Sequence, residues 1–107
     1  MESTRAEVKI TDLNTSALRV ERSYNNLLQF KTKLNSYLYE PTTYKQYTMR
    51  EELARGVNNQ LKVHLELLNT IKAGELVSET IVIIKSQLRT AKMLEDGITK
   101  YIMSLNG

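Results

Sequence analysis

Pro41 and Gly74 divide this chain into three stretches, and in each the apolar residues recur at alternating spacings of four and three. The first stretch places Leu13, Ala17, Val20, Tyr24, Leu27, Leu34 and Leu38 on that register, with Lys31 in the one polar slot. The second runs Ala54, Val57, Leu61, His64, Leu68 and Ile71. The third runs Val77, Ile81, Ile84, Leu88, Ala91, Ile98, Ile102 and Leu105, interrupted by Glu95. A repeat near 3.5 residues is the mark of helices that each bury one stripe against other helices.

The boundaries carry their own signals. Thr11 or Asp12 is an N-cap candidate for the first helix, since either side chain can accept from a free first-turn N–H. Pro41 disfavours helical geometry at Glu40 and lacks a backbone donor, which ends that helix near residue 39. Thr43-Tyr44-Lys45-Gln46 and Thr48-Met49-Arg50-Glu51 both have capping-box spacing for the second helix. Gly74 can take the left-handed conformation that closes it. Gly56 falls inside that helix at a cost of up to about 1 kcal/mol relative to alanine. It reads as a tolerated misfit more readily than as a close helix crossing. Asp96-Gly97 is a turn-prone dipeptide able to kink the third helix or split off its last turn.

The expected fold is therefore all-α: an antiparallel three-helix bundle, or a helical hairpin, with long helices over about 12–39, 44–73 and 76–105. The pattern suggests a coiled-coil-like and oligomeric protein. Residues 1–10 read as a flexible or frayed N-terminus, and 11–107 as one domain. At 107 residues the chain has room for one ordinary domain. Residues 80–84 are all β-branched, yet no second strand exists to pair with them.

Chemistry is hard to find. There is no cysteine, so disulfides and thiolate metal sites are excluded. With no signal-peptide core and no apolar run near the ~20 residues of a membrane span, a cytoplasmic or intracellular setting is expected. His64 is the sole histidine and sits between Leu61 and Leu68, where a structural role at the core margin is the natural reading. Position 60 is Gln and positions 67 and 68 are Leu, so it has no helical metal partner. Glu51-Glu52 and Glu95-Asp96 are adjacent pairs that diverge by about 100° around a helix. No catalytic residue, cofactor or metal is expected, and an enzyme is not.

Two features stand out instead. Tyr37, Tyr39, Tyr44 and Tyr47 flank Pro41, and tyrosine suits protein interfaces because a polar tip follows a large ring. Alternatively, these rings seal the end of the bundle around Pro41. Ile81-Val82-Ile83-Ile84 is the second feature. Four consecutive residues sweep about 300° around a helix, more than one bundle face can hide. One or two should be left over, with Met93 and Met103 extending the excess.

The net charge is +3, and between residues 13 and 50 six cations meet only two anions. A basic first helix (Arg19, Arg22, Lys33) and the stripe Lys85, Arg89, Lys92 suggest nucleic acid as an alternative partner. Glu21, between Arg19 and Arg22, weighs against it. The leading expectation is a small protein–protein interaction module that associates with itself or with a protein partner. No motif carries a family resemblance. In general look the chain is similar to small helical subunits of phage and viral particles and to helical secretion chaperones.

Overall fold

The computed structural model describes residues 10–74 and 78–105. Three helices account for nearly all of them: α1 (Ile10–Leu34), α2 (Tyr44–Lys72) and α3 (Ser78–Leu105). Each pair of helices is in contact, so the hairpin alternative falls and a three-helix bundle stands. It is a rod of 58 × 18 × 18 Å. No described helix is long and apolar enough to cross a membrane.

Helix α1 corrects the expected boundaries at both ends. Ile10, Thr11 and Asp12 are all helical, so neither Thr11 nor Asp12 is the cap. The other end comes at Leu34, five residues before the expected stop at 39. Asn35 and Ser36 still donate to the Lys31 and Lys33 carbonyls, at 3.1 Å each. Ser36 then turns extended (φ −71°, ψ 138°), and its hydroxyl accepts from the Leu38 N–H at 3.2 Å. Serine competes in this way with the helix for backbone donors. A single 3₁₀ turn, Tyr37–Tyr39, follows, and the phase break throws Leu38 outward rather than onto the stripe.

Helix α2 starts at the earlier of its two capping patterns. Thr43 Oγ1 accepts from the Gln46 N–H at 3.1 Å, while Gln46 Oε1 reaches back to the Thr42 N–H at 2.9 Å. Its far end follows the expectation, with Gly74 at φ +74°. Gly56 departs from it. A Cβ there would lie 2.7 Å from Leu94 Cδ2 of α3, so the missing side chain leaves the space into which Leu94 packs. Helix α3 runs unbroken through Asp96-Gly97. What the sequence leads one to expect of residues 1–9, Leu76 and Val77 lies outside the described residues, as does the Leu13 side chain.

The stripes meet along the axis in two apolar clusters. One joins Leu27 and Leu34 of α1 to Val57 and Leu61 of α2 and to Ala91, Ile98 and Tyr101 of α3. The other joins Val20 to Leu67, Leu68, Ile71 and Ile84. Burial of such side chains contributes about 1.5–3 kcal/mol each, and it is what holds three helices of this length together.

Candidate functional site

Polar residues occupy the level between the two apolar clusters. His64 of α2 is fully buried, and its Nε2 lies 2.8 Å from the Ser23 hydroxyl of α1. One turn earlier on α2, buried Gln60 donates through Nε2 to Gln87 Oε1 of α3 at 2.9 Å. All three helices thus contribute to one polar layer. His64 Nδ1 and Gln60 Oε1 are buried without a hydrogen-bond partner among the described residues. Burial holds the imidazole below its usual pKa, and the nearby Gln60 backbone only partly opposes this. Ser23 and His64 have the separation of a nucleophile and its base, but among the described residues no carboxylate orients the buried ring. Among the described residues no three His, Cys, Asp or Glu side chains gather as metal ligands.

Ser23 also opens onto a groove of about 260 Å³ between α1 and α3. Arg19, Arg22 and Asn26 line it from α1, and Leu88, Lys92 and Glu95 from α3. Three of the six basic candidates therefore converge. Neither guanidinium has a carboxylate partner among the described residues, whereas Lys92 Nζ lies 3.9 Å from Glu95 Oε1. Glu95 is buried, which raises its pKa against the pull of Lys92. The remaining candidates lie outside the groove. Lys33 sits over the Phe30 ring at 5.5 Å, and Lys85 and Arg89 are exposed on α3. Glu21 does not line the groove.

The tyrosines do not seal the bundle end. Tyr37, Tyr44 and Tyr47 are exposed and Tyr39 is half-buried. That end is closed by Tyr101, which is fully buried and was invisible in the stripes. Tyr44 and Met49 instead border a shallow surface groove of about 360 Å³, and Tyr37 borders another with Leu28 and Lys31. Arg50 lies over the Tyr47 ring at 5.7 Å.

The isoleucine belt divides as its helical sweep requires. Ile84 is 3% exposed and belongs to the core, and half-buried Ile81 packs against the same cluster. Ile84 is therefore unavailable as an interface residue. Val82 and Ile83 are left outside, at 66% and 50% exposure. Met93 and Met103 on the same helix are 68% and 66% exposed. Compared with known proteins, the chain matches no family, no curated protein and no solved structure.

Proposed function

We propose that this chain is a non-enzymatic helical interaction module, a scaffold, adaptor or chaperone-like subunit that self-associates through α3. The observation that carries the reading is the apolar surface left on α3 after the bundle is filled: Val82, Ile83, Met93 and Met103. Apolar side chains left outside a filled bundle are available to a partner, and methionine adapts to a partner's shape. Tyr37, Tyr44 and Tyr47 offer a second contact region at the loop end. The reading includes an intracellular setting, where a chain without cysteine keeps its fold unaided. Sedimentation over a wide concentration range tests it. A species heavier than 12.3 kDa that dissociates on dilution is expected. A strict monomer that binds no hydrophobic dye overturns the reading.

A nucleic-acid partner is the second reading, favoured by one observation. Arg19, Arg22 and Lys92 line a single groove, and both guanidiniums are free of carboxylates among the described residues. Phosphate contacts of this kind make binding fall steeply with salt. The test is a mobility shift with DNA and with RNA at low salt, repeated with Arg19→Ala/Arg22→Ala. No shift in the native protein removes this reading.

A further inference from the structure

The outward face of α3 has a repeat of its own. Val82, Met93 and Met103 share it with Ser86, Arg89, Asp96 and Lys100, all of them exposed. Successive members are four or three residues apart, the spacing that lines up one seam on a helix. This second stripe lies opposite the core positions Ile84, Ala91 and Ile98. It spans 21 intervals, about 32 Å of helix.

The order along this face is self-complementary when reversed. Laid antiparallel about a point beside Met93, a second copy sets Val82 against Met103 and Met93 against Met93. The same alignment sets Arg89 against Asp96 twice, and Ser86 against Lys100 twice. Among these seven positions no like charges meet, and Lys92, which flanks Met93, is partnered at 3.9 Å by Glu95 of its own chain. A parallel, in-register pairing does the opposite, stacking Arg89 on Arg89, Asp96 on Asp96 and Lys100 on Lys100. Like charges facing across an interface are strongly unfavourable. Within the chain Arg89 and Asp96 have no ion-pair partner among the described residues, and at seven residues apart they cannot reach each other.

We infer that α3 docks on α3 of a second copy as an antiparallel pair, with a two-fold axis beside Met93 and two Arg89–Asp96 bridges flanking it. A two-fold interface uses the same patch on both subunits, so the patch must be complementary to its own reverse. This face meets that condition by charge and by apolar position together. The inference rests on the self-association proposed above and specifies its partner, direction and register.

The absence of native cysteine makes single-cysteine probes clean. Met93→Cys should give a disulfide-linked homodimer in a glutathione redox buffer. Val82→Cys alone should not, whereas a mixture of Val82→Cys and Met103→Cys should give the heterodimer. In sedimentation, Arg89→Asp should weaken association about tenfold or more, and Arg89→Asp/Asp96→Arg should return it to within about threefold of the native protein. These sites are exposed, so folding is spared, and circular dichroism checks it. Val82→Cys linking to itself as readily as Met93→Cys, or a charge swap that fails to restore association, overturns the antiparallel register while self-association stands. A native protein that stays monomeric at millimolar concentration overturns both.

Discussion

The Tyr101 hydroxyl donates to the Tyr39 carbonyl at 3.0 Å, tying the last turns of α3 to the 3₁₀ turn that reverses the chain after α1. The ring fills the end of the larger core cluster, and the hydroxyl meets a carbonyl that no helix satisfies. Burial accordingly raises the phenol's pKa, with Arg50 pulling the other way. Tyr101→Phe should keep the packing and lose the hydrogen bond, costing about 0.5–1.5 kcal/mol in urea denaturation. Tyr101→Ala should cost about 3–5 kcal/mol through the cavity. Equal losses in the two variants would place the whole effect in the hydroxyl and contradict the packing role.

Tyr101 also shows where reading the sequence stops. Val57, Leu61, Leu68 and Ile71 are legible because a repeat near 3.5 residues keeps them on one seam. A third packed helix, however, covers a band wider than one seam. Gln60, Leu67 and Tyr101 are buried by that extra width, and their residue types do not announce it. Leu38 fails for the opposite reason: it keeps the spacing from Leu34, but Ser36 resets the phase between them. The convergence of Arg19, Arg22 and Lys92 depends on how α1 and α3 are rotated against each other, which no local pattern records. The leftover on α3 was legible, because a belt of four residues exceeds any single face.

Burial of His64 makes stability depend on pH. The unfolded ring titrates near its usual 6.5, while burial holds the folded ring lower. Below about 6.5 the unfolded state therefore binds a proton that the folded state resists. Stability should be flat above that value and fall as pH drops toward the folded pKa. Glu95 acts with the opposite sign. Its folded pKa is raised above the usual 4.5, so it destabilises at higher pH and that cost fades as pH falls toward 4.5. Urea titrations from pH 8 to 4 on His64→Leu and Glu95→Gln separate the two. The first variant should lose the drop below 6.5, and the second should gain stability at neutral pH. An unchanged acid slope in His64→Leu would remove the histidine as its cause.

Gly56 and Gly97 lie in helices, where alanine is favoured by up to about 1 kcal/mol. At Gly97 an added Cβ would sit 3.1 Å from Leu53 Cδ2, needing only a small adjustment. At Gly56 it would sit 2.7 Å from Leu94 Cδ2 and 3.4 Å from Cδ1, so the Leu94 side chain must turn away. Gly97→Ala should raise stability by about 0.5–1 kcal/mol, and Gly56→Ala by less or not at all. Thermal melts of the two variants side by side decide the order. A larger gain at Gly56 would mean that the α2–α3 crossing there is looser than the Leu94 contact implies.

Gln60 and Gln87 form an unequal pair: Gln60 is buried with its own carbonyl unpartnered, whereas Gln87 is half-buried. Removing the acceptor by Gln87→Leu strands the whole buried amide, and should cost about 1–3 kcal/mol. Removing the buried member by Gln60→Leu leaves Gln87 near water and deletes an orphaned carbonyl, so its effect should be close to zero. Gln60→Leu/Gln87→Leu leaves Ser23 and His64 as the polar pair at that level and should be at least as stable as the native protein. Its loss should appear elsewhere, because a polar layer penalises sliding of the helices past one another. Near-ultraviolet circular dichroism should then show weaker fixed packing around Tyr24 and Tyr101, despite an unchanged or higher melting temperature. A Gln60→Leu variant less stable than Gln87→Leu would reverse the assignment of donor and burden within the pair.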